Sequence, residues 1–211
     1  MTETGREWVE GWAVCRRIPR PVEVPWGLRL EVGQPTQRVR HVLLGAGTDA
    51  DTARGLIDSI TEPTTVVKAF LSQDDMAPWF PPPWEPVDPC FLMAVDLRPS
   101  AARTPEGYTA TVETDGGLVS VRVRSADGRL AASGLAGLTD SACVYDQIVT
   151  EPDHRRRGLG TVVMGALTGV ALAKGVSQGV LGATVQGRAL YETLGWKVLA
   201  PLNGYVHRPR A

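Results

Sequence analysis

The stretch that most limits what this chain can fold into runs from Cys143 to Gly175, CVYDQIVTEPDHRRRGLGTVVMGALTGVALAKG. It reads as a strand, a basic glycine-containing turn and a helix. Cys143 to Val149 is short, mostly apolar and carries β-branched residues, the pattern of a buried strand. Pro152 ends it, because proline cannot donate to a ladder. From Leu159 the period becomes helical: Leu159, Val163, Ala166/Leu167 and Val170 recur at three and four and make one apolar face. Lys174 and Gly175 supply a helix stop. Gly165 and Gly169 each cost about 1 kcal/mol against alanine, which predicts close packing of this helix on a sheet.

The turn itself points to a phosphate. A helix start leaves backbone N–H groups unpaired and carries the positive end of the macrodipole. Gly158 and Gly160 have no Cβ, so an anion can approach the backbone, and Arg155, Arg156 and Arg157 add charge-assisted donors. Three arginines also suit a solvated face or a nucleic-acid contact. The formal net charge of −1 and the lack of a broad basic stripe elsewhere speak against nucleic acid.

Arg155-x-x-Gly158-x-Gly160, after a strand and opening a helix, resembles the acetyl-CoA-binding motif of the GNAT superfamily of acetyltransferases, Q/R-x-x-G-x-G/A. Leu181 to Trp196 is similar to the family's next strand and helix, and Leu190-Tyr191-Glu192 with Leu194-Gly195-Trp196 matches its ending. The resemblance covers residues 143–200 and fades upstream. It implies an α/β, GNAT-like acyl-CoA transferase fold: a mixed, mostly antiparallel sheet flanked by helices, here with an N-terminal α+β extension. It also implies acetyl-CoA as co-substrate and an amine of a small molecule or peptide as acceptor. The family's tendency towards dimers makes a homodimer the expected assembly.

The resemblance further assigns roles. In the family the cofactor strand splays from its neighbour and pairs its backbone with the pantetheine arm, which implicates Ile148, Val149 and Thr150. The pyrophosphate would meet Arg155, Arg156, Arg157, Gly158, Leu159, Gly160 and Thr161, and a backbone N–H near Val149 would face the oxyanion. Tyr191 takes the general-acid position. Its ordinary pKa is about 10 against about 8.5 for a thiol, so donation to the thiolate is slightly uphill in solution. The glutamate that many relatives carry early in the cofactor strand aligns with Val144, and the asparagine before the last helix with Thr184. Asp146 or Glu151 is then the candidate base, unless each is a surface charge or a cap. A lysine-type amine would need roughly 4 kcal/mol to be neutral at pH 7, an α-amino group far less, which tilts the acceptor towards a weakly basic amine. The alternative is a catalytically idle GNAT-like module that binds acyl-CoA as a sensor or scaffold.

Upstream the chain divides at a proline-rich stretch, Asp75 to Pro89, read as a semi-rigid linker, with a substrate wall of Trp79, Phe80 and Trp84 as the second reading. Residues 1–88 form an N-terminal α+β segment, a candidate degenerate GNAT-like half, and 89–211 the acetyl-CoA-binding catalytic domain. Residues 1–35, with Trp8, Trp12 and Trp26, read as a sheet segment whose aromatics pack on a core. Arg38 to Leu44 is a strand and Asp51 to Ile60 a helix. Between them Gly45-x-Gly47-x-x-Ala50 fits a dinucleotide fingerprint, but Asp49 and Asp51 would set carboxylates where a pyrophosphate must sit. Phe91–Leu97, Tyr108–Val112, Leu118–Arg124 and Leu130–Leu138 read as an antiparallel meander, with turns at Asp115-Gly116-Gly117 and Ser125 to Gly128. That leaves no room for the two helices with which the family lines its acceptor site, so either the helix at Asp51 to Ile60 takes their place or the N-terminal segment is a degenerate partner half. Lys197–Leu202 and Tyr205–His207 predict a closing hairpin across Asn203-Gly204.

Hydrophobic residues at 43% and charged residues at 21% are globular values over 211 residues. No apolar run reaches membrane-spanning length, and the first residues lack a signal-sequence pattern, so a cytoplasmic protein is expected. Cys15, Cys90 and Cys143 match no zinc pattern and predict reduced thiols, and three scattered histidines predict no metal site.

Overall fold

The computed structural model describes residues 2–209. In chain order the first elements are α1 (Thr2–Cys15), β1 (Val22–Val24), β2 (Gly27–Gln34), β3 (Gln37–Leu43), α2 (Ala50–Ser59), β4 (Val66–Ala69), α3 (Gln73–Met76), β5 (Trp84–Pro86) and β6 (Cys90–Asp96). Then follow β7 (Tyr108–Asp115), β8 (Leu118–Ser125), β9 (Leu130–Leu138), β10 (Ala142–Thr150), α4 (Leu159–Ala173), β11 (Gln178–Thr184), α5 (Val185–Thr193) and β12 (Lys197–His207). Two compact units result. One is Met1–Val9, Arg17–Ala94 and Gly182–Ala211; the other is Glu10–Arg16 and Val95–Leu181. The division expected at 88/89 does not coincide with them, because the C-terminal strand returns to the N-terminal ones.

In the first unit β1, β2 and β3 form an antiparallel meander. Helix α2 crosses over to β4, which runs parallel to β3 from Arg40↔Val66 to Leu43↔Ala69. Asp49 caps α2, its carboxylate accepting the N–H of Asp51 at 3.2 Å and of Thr52 at 3.1 Å. The core holds Leu43, Leu56, Ile57, Val67 and Met76 together with Trp79, Phe80, Trp84 and Tyr205. Phe80 stacks on Tyr205 at 4.2 Å between ring centres. The proline-rich stretch is therefore no linker over the core: its aromatics fill the core of this unit.

Two further expectations are corrected. Residues 2–15 are helix rather than sheet, and Trp8, Val9, Trp12 and Ala13 form its buried stripe. The closing hairpin is one continuous strand. Residues 197–202 of β12 pair with β6, and residues 203–206 pair with β4. Asn203-Gly204 marks this change of partner, not a turn. A Cβ on Gly204 would lie 2.5 Å from the Val67 carbonyl oxygen and 2.7 Å from Lys68 Cγ, so only glycine fits. The Asn203 side chain is held by donating to the Leu71 carbonyl at 2.8 Å.

His41 on β3 is 5% exposed and accepts the Trp26 indole N–H at 3.2 Å. Burial, with Arg29 adding repulsion, pushes it down from 6.5 to about 4. Below pH 6.5 the unfolded chain binds a proton that the folded chain refuses. Stability is thus full above pH 6.5 and falls towards pH 4, by roughly 3 kcal/mol from this group. Urea titrations across that range should show the slope, and His41→Gln should flatten it.

In the second unit the strand order is β11-β10-β9-β8-β7, antiparallel except for β10 with β11. Helix α4 packs on β8, β9 and β10. Its close approach is licensed from the sheet: a Cβ on Gly134 would meet Ile148 and Val163 at 2.5 and 2.6 Å. The helix glycines do not face the sheet, as the sequence had suggested; Gly165 abuts Ser100 and Gly169 faces open space. No described helix is long and apolar enough to cross a membrane.

Candidate functional site

Strand β10 is the spine of the site. It pairs with β11 from Ala142↔Gln178 to Tyr145↔Leu181 and no further, although β10 continues to Thr150. On its other edge β9 follows it to Thr150, with a bulge between Asp146 and Val149 where Gln147 takes φ 53°. Beyond Tyr145 one edge of β10 therefore lies open to an extended partner, and Ile148, Val149 and Thr150 border it. Val149 is 46% exposed, unusual for a valine in a central strand.

After β10 the chain makes a short turn at Pro152–His154 and reaches the three arginines. Arg155 turns back, its Nε donating to the Thr150 carbonyl at 3.3 Å. Arg157 donates to the Tyr108 hydroxyl at 2.9 Å and to the Asp153 carbonyl at 3.2 Å. Tyr108 Oη in turn lies 2.9 Å from His154 Nδ1, with the two rings edge to face. These two arginines brace the turn. Arg156, at φ 59°, makes no hydrogen bond or ion pair among the described residues.

The start of α4 is built differently from those of α2, α3 and α5. Asp49, Ser72 and Thr184 cap α2, α3 and α5 through their side chains, whereas Gly158 at the start of α4 offers none. Gly158 sits at φ 75°, where glycine is at no disadvantage. A Cβ there would meet nothing within 4 Å, and one on Gly160 only Thr150 Oγ1 at 3.7 Å. Packing does not ask for glycine at either place, so the uncapped N–H groups of Gly158 to Thr161 stay open to an anion. At the earlier glycine pair Gly45, at φ 55°, also meets nothing within 4 Å, but Gly47 is the opposite case. A Cβ on Gly47 would overlap the Trp26 carbonyl, and Gly47 N–H already donates to Leu44. That loop is closed by packing and capped by Asp49, which leaves no cradle for a dinucleotide.

The two candidate bases have different surroundings. Asp146 accepts Arg16 Nε at 2.7 Å and Nη2 at 3.4 Å. Glu151 is half-buried, and its backbone N–H donates to Ala131. Tyr191 belongs to the other unit. It lies on α5, half-buried, with its ring 5.7 Å from that of Trp196. Thr184 Oγ1 caps α5 by accepting the Gly187 N–H at 3.1 Å, and Arg188 pairs with Glu192, four residues on, at 2.8 Å.

The sequence reading gave no site role to Tyr108 and His154, which brace the arginine turn, nor to Trp12 and Arg16, of which Arg16 pairs with Asp146 and lies over the Trp12 ring. The second pair carried a legible signal, since Trp8 and Trp12 stand one helical turn apart.

The sequence of residues 74–196, more than half of the chain, matches the model of the Acetyltransferase (GNAT) family. No curated protein matches the chain by sequence. A GCN5-related N-acetyltransferase from Kribbella flavida shares the fold at TM-score 0.65 and 16% identity, over 92% of this chain and 91% of that one. One from Sphaerobacter thermophilus does so at 0.61 and 15%, over 87% and 78%. A tandem GNAT protein from the clavulanic acid biosynthesis pathway aligns at 0.55 and 15%, over 77% and 69%. The chain belongs to the GNAT family of acetyltransferases.

Proposed function

We propose that the protein transfers an acetyl group from acetyl-CoA to an amine of a small molecule or peptide. The observation that carries this reading is the end of β10–β11 pairing at Tyr145/Leu181, followed at once by the uncapped glycine turn of α4. The open edge of Ile148 to Thr150 would take the pantetheine arm as an extra strand, with amide groups matching backbone groups. The pyrophosphate would rest on the N–H groups of Gly158 to Thr161, with Arg156 the arginine best placed to meet it and Arg155 and Arg157 holding the turn. Tyr191 would donate the proton that the departing thiolate needs, and Asp146 or Glu151 would take one from the amine.

Acetyl-CoA should raise the stability of the protein by about 2.7 kcal/mol at 100 times its Kd, read as a thermal shift. Gly160→Asp is the decisive variant. A carboxylate in the first turn favours the helix, so the fold should hold or gain slightly. The same charge would repel a pyrophosphate and weaken acetyl-CoA binding about tenfold or more, a change of about 1.4 kcal/mol. Unchanged acetyl-CoA binding in this variant would refute the site.

A further inference from the structure

The face of β10 turned from the cofactor helix is covered by the end of α1. Tyr145 points to α4, its hydroxyl 2.7 Å from Thr168 Oγ1. The next residues along the other face meet α1 instead. A Cβ on Gly11 would overlap the Val144 side chain, and Cys15 Sγ lies 3.5 Å from the Val144 carbonyl. Arg16 closes on Asp146, and its guanidinium also lies 5.1 Å from the centre of the Trp12 ring. Asp146 is the last residue before the bulge and the first past the final pair with β11. A mutually neutralised ion pair therefore stands where β10 opens, on the side that α4 leaves clear. Its members keep 38% and 18% of their side chains exposed.

We propose that this pair reads the acceptor, and that the acceptor is an amine bearing a carboxylate, of the amino-acid type. The inference rests on the acetyltransferase reading above. A purely cationic amine would have to strip Asp146 from Arg16 and leave the guanidinium facing a like charge. A zwitterion instead exchanges one ion pair for two. Its carboxylate takes the planar guanidinium fork, and its ammonium takes Asp146.

The exchange also prepares the chemistry. With the acceptor's carboxylate on the Arg16 fork, its ammonium lies against the Asp146 carboxylate that Arg16 has released. The ammonium gives one proton to Asp146, which passes it to solvent. The nitrogen lone pair forms the C–N bond at the thioester carbonyl. The C–S bond then breaks, its electrons leave with sulfur, and the second nitrogen proton is balanced by protonation of the thiolate. Products are the N-acetyl acid, CoA as the thiol and one released proton.

The test supplies acetyl-CoA with free amino acids, each beside its own carboxamide, and follows release of the CoA thiol. The acids should exceed their amides by about tenfold or more in kcat/KM, the worth of one charged hydrogen-bonding partner. Arg16→Gln should bring the acid down to the rate of the amide while acetyl-CoA still stabilises the variant. Arg16→Lys, which keeps the charge without the fork, should restore part of the preference. Equal rates on acid and amide in the wild type, or equal losses on both in Arg16→Gln, would mean that the pair only pins α1. Acetyl-CoA binding with no turnover of any amino acid or amide also overturns the inference. A wild type that acetyl-CoA fails to stabilise removes the acetyltransferase reading and this inference with it.

Discussion

Tyr191→Phe should lower kcat by about 10²- to 10⁴-fold, the usual span for losing a general acid. The variant keeps the ring and its packing 5.7 Å from Trp196, so the fold and the thermal shift with acetyl-CoA should not change. The effect belongs in kcat because in the proposed role the hydroxyl would act when the C–S bond breaks, not when the cofactor binds. Steady-state kinetics beside the thermal shift separate the outcomes. Full turnover in the variant would make Tyr191 a packing residue. Acetyl-CoA binding in a wild type that acetylates no amine would leave an acyl-CoA-binding module without catalysis.

Gly137→Val should destabilise the second unit by about 3 kcal/mol, the upper end of the usual cost of overpacking. A Cβ at this position would overlap the Gly11 carbonyl and backbone, and backbone cannot rotate aside as a side chain does. The end of α1 must then lift from β9, which exposes Trp12 and separates Arg16 from Asp146. Chemical denaturation should report the loss. Ser120→Ala on the neighbouring β8, half-buried, should shift stability far less and serves as the control.

What the sequence made legible was local. The arginine turn, the α4 period, the Thr184 cap and the Arg188–Glu192 pair are each settled within a few residues, and each was readable. Helix α1 was not, because Gly5 and Gly11 break its propensity. Their reasons are tertiary: Gly5 makes room for Phe70, and Gly11 for Val144 and Gly137. The same holds for Asn203-Gly204, a strong turn signal that packing turns into the middle of a strand. Gly45-x-Gly47 imitates a phosphate loop for the opposite reason, since Gly47 is small to admit the Trp26 carbonyl. At the site, the glycines of the arginine turn suggested an anion cradle from local pattern alone, and no packing contact supplies a competing reason for them. Arg16 and Asp146 stand 130 residues apart, and no local pattern joins them.

The path of β12 bears on how the molecule is made. On the ribosome residues 95–181 emerge as one run, and their meander, helix and parallel strand pair through short loops, so that unit can condense early. The first unit cannot close then. Strands β4, β5 and β6 all wait for the strand that follows α5, and until it arrives Val66, Val67 and the Trp84 segment present unpaired edges. Nascent chains halted before Lys197 should be the ones that chaperones hold and proteases find.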